Sequence, residues 1–175
     1  MQLLDVQEFR QLFRQAHQRA FHIETKDGYA VEEEAIALAR FIETGELEYD
    51  PAWKSWDDHV REVTSSGVRV QRTRVVTEPH TDYTRFLYAT TKSNLDAGED
   101  IRWLPRDTVD KNELTSDDWW AFDNDIVAFT AFRQDGNLGG FAVTTDPIIV
   151  RYCLSVRDKI WSMATPHQEY RTVSE

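Results

Sequence analysis

The stretch VRVQRTRVVTEPHTDYTRF, Val68 to Phe86, changes the character of the chain. Its first ten residues are rich in β-branched side chains, which predicts a strand over residues 68–77. Glu78-Pro79 closes that strand, because a residue before proline is pushed away from helical geometry. HTDYTRFLYATTKSNLDAG then predicts a helix with Tyr83, Phe86, Leu87 and Thr90 on one side, ending near Gly98. Ile101 to Leu104 follows as a second short strand. A strand, a helix and a strand in this order imply a right-handed parallel crossover. The stretch therefore decides for an α/β fold, with α+β left open, after a front that reads as helical.

In that front, Asp5 and Glu8 form a D-x-x-E capping box, and Phe9, Leu12, Phe13, Ala16 and Ala20 recur at helical spacing. FHIETKDGY, Phe21 to Tyr29, reads as a short extended piece broken at Asp27-Gly28. A second helix carries Val31, Ala35, Leu38 and Ile42 on one side and ends at Gly45. Its Glu32-Glu33-Glu34 run complements the helix dipole and reads as a solvated helix start. Asp50-Pro51 opens a third helix with Trp53, Trp56, Val60 and Val63 aligned, stopping at Ser66-Gly67. We expect a helical N-terminal section, 1–67, packed on an α/β body, 68–166, with a tail, 167–175, in one compact unit.

Beyond the crossover, residues 105 to 115 are polar and predict an exposed loop. Three strands follow, at Trp119 to Phe122, Ile126 to Phe132 and Gly139 to Thr144, joined by turns at DND and RQDGN. In DDWWAFDNDIVAF, Asp117 to Phe129, strand alternation puts Trp120 and Phe122 on one face and Trp119 and Ala121 on the other. Its four aspartates read as turn acids, since the glycine and bidentate glutamate of a calcium loop are missing. Gly139-Gly140 reads as a turn or strand-entry pair rather than a phosphate cradle. Asp146-Pro147 starts a last helix with Ile149, Tyr152, Val156, Ile160 and Met163 along one face, and the tail after Pro166 is expected to fray.

The 175 residues suffice for one domain with its own core, and 41% hydrophobic content excludes the disordered class. With 20 basic against 31 acidic residues, the net charge of −11 repels phosphate backbones and anionic membranes, so neither is an expected partner. A local basic patch is left open at Arg69, Arg72, Arg74, Arg102 and Arg106. A single cysteine, no signal-peptide pattern and no stretch of membrane-span length point to the cytoplasm.

No metal or cofactor is expected. The five histidines are scattered without zinc spacing, and Cys153 falls on an apolar helix face where an inert thiol is the natural reading. Neither a nucleophile elbow nor a Walker loop occurs. The richest polar segment is TEPHTDYTRF, at a strand-to-helix junction where ligands of open α/β sheets tend to bind. The candidate binding face comprises Arg72, Arg74, Glu78, His80, Asp82, Tyr83, Arg85, Arg102 and Arg106. The plainer reading has His80, Thr81 or Asp82 capping the helix, Tyr83 packing inward and Arg85 in solvent.

RVVTEPHTDYTRF, NLDAGEDIRWLPR, DDWWAFDND and DPIIVRYCLSVRDKIW, together with FHIETKDGY, resemble an uncharacterised actinobacterial family often encoded near helix-turn-helix regulators. That resemblance implies a regulatory neighbourhood rather than a reaction. Residues 68 to 164 also resemble, in element order, one half of a phospholipase D-like domain. Its catalytic motif is H-x-K-x-x-x-x-D, and with Asp123 at the final position the histidine falls on Ser116 and the lysine on Asp118. A carboxylate there repels phosphate, and serine cannot replace the histidine as nucleophile and proton carrier. The resemblance implies a non-catalytic domain whose cleft binds a ligand or partner.

The leading expectation is a non-enzymatic ligand-sensing or protein-interaction domain, accessory to a helix-turn-helix regulator. The alternative is a hydrolase or other small-molecule enzyme with His80 as base, Asp82 orienting it, and Arg85 or Arg106 holding an anionic substrate. A third reading is an acidic protein that covers the DNA-binding surface of its partner. A homodimer is left open.

Overall fold

A computed structural model describes residues 1–29, 34–134 and 137–172. The described residues form one eight-stranded sheet. Its strands are β1 (Gln2–Leu4), β2 (Arg19–Glu24), β3 (Arg69–Val76), β4 (Asp100–Pro105), β5 (Trp119–Phe122), β6 (Ile126–Phe132), β7 (Leu138–Thr144) and β8 (Thr165–Pro166). Their order is β1-β7-β6-β5-β2-β3-β4-β8. The helices are α1 (Val6–Gln15), α2 (Ala35–Thr44), α3 (Lys54–Ser65), α4 (Asp82–Asp96) and α5 (Pro147–Met163). β3 and β4 pair in parallel around α4, as the crossover predicts.

The main departure lies in FHIETKDGY. Arg19–Glu24 is the central strand β2, parallel to β3 and antiparallel to β5. The section expected to be helical thus contributes β1 and β2 to the same sheet as the body. Ala20, assigned to the first helix, belongs to β2, because α1 ends at Gln15. The capping box at Asp5 and Glu8 forms as predicted, with Phe9, Leu12 and Phe13 buried.

Two hydrophobic layers sandwich the sheet. Trp120 and Phe122 face α1 and α3, packing with Phe9, Phe13, Val60 and Val63. Trp119 and Ala121 face α5 through Val150, Cys153, Val156 and Ile160. Alternation along β5 had predicted this split. The buried face of α5 is rotated from the expected one, leaving Tyr152 and Met163 exposed while Val150, Cys153 and Arg157 turn inward. Helix α2 ends at Gly45 as expected, but none of its residues is buried: Ala35 and Ile42 face solvent, and Phe41 leans on Phe86. Val31, Glu32 and Glu33, and Asp135-Gly136 of the RQDGN turn, lie outside the described residues.

The tail does not fray at Pro166. The His167 amide donates to the Ile101 carbonyl, and Tyr170 stacks on Trp103 at 5.4 Å in a third cluster with Val76 and Leu87. Gly140 is a strand residue rather than part of a turn. Its φ is +128°, and a Cβ would meet the Leu4 carbonyl oxygen at 2.8 Å where β1 closes the sheet edge. Gly140→Ala should cost about 1–3 kcal/mol in chemical denaturation. An unchanged midpoint would refute the close β1–β7 approach.

Candidate functional site

Side chains on alternate residues of a strand share a face, so His22 and Glu24 of β2 stand beside Arg72 and Arg74 of β3 and Trp120 of β5. They form the floor of a cleft of about 680 Å³, walled by Trp53 and Trp56 on the α3 side and by Tyr83 and Leu87 of α4. Tyr29, Glu34, Asp118 and the β6–β7 residues Phe132 and Phe141 complete the lining.

The floor is an ion-pair network. Arg72 Nε donates to Glu99 Oε1 at 2.7 Å, and its Nη1 donates to Glu24 Oε1. Arg74 Nε donates to Glu24 Oε2 at 2.8 Å, while its Nη1 reaches the Leu87 carbonyl at 3.0 Å and Thr91 Oγ1. Burial alone would raise the Glu24 carboxyl, but Arg72 and Arg74 outweigh it and hold the group below the usual carboxylate range. Burial likewise opposes charge on Arg72, and Glu24 and Glu99 outweigh it. Two buried cations are thus matched by two buried anions. The arginines of this floor are committed to internal partners, so they are not free to grip a phosphate.

His22 behaves differently. Its ring stacks on Trp120 at 4.2 Å, it is 8% exposed, and neither ring nitrogen has a hydrogen-bond partner among the described residues. Nδ1 lies 3.7 Å from Glu24 Oε1, beyond hydrogen-bond reach. Burial, then the Arg72 charge, pushes its pKa down to about 3, so the imidazole is neutral near pH 7. A neutral imidazole offers one donor and one acceptor.

Asp118 sits at the rim of this cleft, at the start of β5. Its Oδ1 accepts from the Thr25 amide and hydroxyl, both at 2.8 Å, and its Oδ2 from the Tyr29 hydroxyl. Burial raises its carboxyl despite these bonds. Ser116 lies outside on the exposed loop, bonded to Asp117. Asp123, at the far end of β5, accepts from the amides of His17, Gln18 and Arg19 and so ties the β5–β6 turn to the start of β2. Its role is structural.

Of the nine residues of the candidate face, Arg72, Arg74 and Tyr83 reach the cleft, and the other six lie elsewhere. His80 is buried against Trp103 and Tyr170, its Nε2 2.7 Å from the Tyr170 hydroxyl, which also donates to Glu78. Asp82 pairs with Arg85 on the exposed first turn of α4, and Thr81 caps that helix. The His80–Asp82 acid-base pair therefore does not form. Arg102 lies over Trp161 at 3.9 Å. Arg106 ties strand ends together through the Thr25 and Val75 carbonyls and Asp27. Arg69 is on the surface, so the five-arginine patch is dispersed.

His22, Glu24 and Glu99 were not anticipated. The alternation of polar His22 and Glu24 with apolar Phe21 and Ile23 was the available signal, but in an isolated extended piece it describes a solvated face. In a central strand the same pattern makes a buried polar floor. Cys153 is fully buried and its thiol is pushed up to about 11 by burial, matching the inert reading. Among the described residues no cluster of three or more His, Cys, Asp or Glu is placed to hold a metal, and no helix is long and apolar enough to cross a membrane.

Solved structures share the fold at low identity. Nuc from Salmonella typhimurium, a phospholipase D family member, is 11% identical with a TM-score of 0.53, covering 93% of this chain and 88% of that one. NucT from Helicobacter pylori is 13% identical with a TM-score of 0.50, covering 92% and 89%. The archaeal chromatin protein TrmBL2 is 12% identical with a TM-score of 0.49; the match covers 91% of this chain, which spans about half (49%) of TrmBL2. The likeness to Nuc and NucT embraces the front of the chain as well as the body, as the central position of β2 requires. No curated protein sequence matches. Residues 7–172 match the family described as a domain of unknown function, DUF6879, and the chain belongs to that family.

Proposed function

We propose that the chain is a non-enzymatic, small-ligand-binding domain on a phospholipase D-like fold, with the β2–β3–β5 cleft as its site. The observation that carries this reading is His22: a neutral imidazole without hydrogen-bond partners among the described residues, stacked on Trp120 on the floor of an aromatic-walled cleft. An unpaired buried polar group is costly unless something else meets it. Ser116 and Asp118 support the absence of phosphodiester chemistry, because the first is outside the cleft and the second brings negative charge into it. In this reading ligand occupancy is passed to a separately encoded helix-turn-helix regulator; the sequence resemblance supports the regulator, and the net charge of −11 favours a protein over nucleic acid as the contact.

Bis(p-nitrophenyl) phosphate should release nitrophenolate no faster with the protein than in buffer. In thermal melts, ring-bearing small molecules should raise the unfolding temperature, since a ligand at a hundredfold its Kd adds about 2.7 kcal/mol of stability. Hydrolysis well above buffer that disappears in Asp118→Asn would overturn the reading.

A further inference from the structure

The charges facing the cleft also bear on its occupant. Three of its lining carboxylates, Glu34, Asp57 and Asp118, have no basic side chain within ion-pair distance among the described residues. Each instead accepts from a tyrosine hydroxyl: Glu34 from Tyr83 at 3.1 Å, Asp57 from Tyr49 at 2.9 Å, and Asp118 from Tyr29. Asp57 Oδ1 is buried with no hydrogen-bond partner among the described residues. Burial raises all three carboxyls, because it disfavours their charged form. Arg72 and Arg74 act on Glu34 only at a distance, their ion pairs being with Glu24 and Glu99. Arg133 is exposed at the β6–β7 rim.

The walls add a second preference. Tyr83, Tyr29 and Phe132 present ring surfaces that attract cations as well as flat rings, while Trp56 and Trp120 already have the Arg72 guanidinium at 6.0 and 5.8 Å. The chain's own Lys26 already rests its ammonium 4.2 Å from the Phe132 ring. His22 supplies the third element. Its neutral ring has one nitrogen able to accept from an N–H donor, and we assign that role to Nε2, the nitrogen away from Glu24.

We propose that the cleft selects a planar aromatic cation: a flat ring bearing an amidinium or protonated amine, stacked among the cleft aromatics, with its N–H groups shared between His22 Nε2 and the Glu34, Asp57 and Asp118 carboxylates. This rests on the ligand-binding reading above and narrows it to one chemical class. The protein's net charge draws such a ligand towards it.

Three probes with the same ring but different charge test it: benzamidinium, benzyl alcohol and benzoate, each titrated against the full chain by tryptophan fluorescence. Benzamidinium should bind about tenfold more tightly than benzyl alcohol, with benzoate the weakest. Glu34→Gln and Asp118→Asn keep side-chain shape, and each should shrink the benzamidinium advantage several-fold. Circular dichroism and the thermal midpoint of each variant certify that it is folded. Equal binding of the three probes, or a preference for benzoate, overturns the cation assignment and leaves a ligand cleft standing. An advantage that survives in both variants overturns the role given to these carboxylates. Binding by none of the three removes both the assignment and the cleft.

Discussion

Arg72→Met should destabilise the protein by about 3–5 kcal/mol, because it leaves buried carboxylates without their cation. Glu99 has no exposed side-chain surface and Glu24 only 13%, and Arg72 joins them across β2, β3 and the turn before β4. Methionine replaces most of the volume, so the loss reports charge rather than a cavity. Urea denaturation should show a lower midpoint with an unchanged slope. Adding Glu99→Gln to the variant should recover part of the loss. A cost under about 1 kcal/mol would mean that the network is hydrated like a surface pair.

Acid should unfold the protein early, and His22 and His59 are the main reason. Burial, then nearby arginine charge, lowers His22 from 6.5 to about 3 and His59 from 6.5 to about 4. For a histidine whose folded pKa is depressed, the unfolded chain takes up the proton first. The stability is therefore fully present above pH 6.5 and drains away as pH falls towards the folded values. By about pH 4 the two account for a loss on the order of 5 kcal/mol. Glu24 adds to this below its ordinary range, where protonation breaks its pairs with Arg72 and Arg74. Glu34, Asp57 and Asp118 act in the opposite direction: their folded pKa values are raised, so they take up protons more readily when folded and return part of the loss. Arg72, Arg74 and Glu99 complete the charged groups around His22. Melting temperatures followed from about pH 7.5 to about pH 4 should fall steeply, and His22→Phe, which keeps a flat ring on Trp120, should flatten the curve. A variant as acid-sensitive as the parent would sink the assignment to His22.

Much of the architecture was legible because local signals agreed with tertiary ones. The capping box at Asp5, the β-branched run from Val68, the alternation in WWAF and Asp146-Pro147 each produced the predicted element. Two features escaped for a shared reason: long-range pairing leaves little local trace. β1 and β8 are three and two residues long and exist only because β7 and β4 receive them. β2 was visible as an extended piece, but its central position depends on partners 50 and about 100 residues away, such as Arg74 and Trp120.

That single misplacement also hid the site. Glu24 and His22 look like the solvated side of an edge strand until β3 and β5 enclose them. The cluster at Glu78, His80 and Asp82 looked richer because its polar residues are adjacent in sequence. Neighbouring residues at a helix start point in different directions, so His80 turned into an aromatic cluster while Asp82 stayed on the surface. Asp118 was read from the sequence as hostile to phosphate, and the structure adds its neighbours Thr25 and Tyr29.

The six tryptophans allow the most direct test, since Trp53, Trp56 and Trp120 line the cleft while Trp103, Trp119 and Trp161 do not. With isotope-labelled indole N–H resonances assigned by single Trp→Phe variants, benzamidinium should be titrated into the full chain and all six signals followed. The account predicts shifts at Trp53, Trp56 and Trp120 that saturate together, with Trp103, Trp119 and Trp161 unmoved. Saturable shifts confined to Trp103, Trp119 or Trp161, or no saturable shift at any of the six, would contradict it.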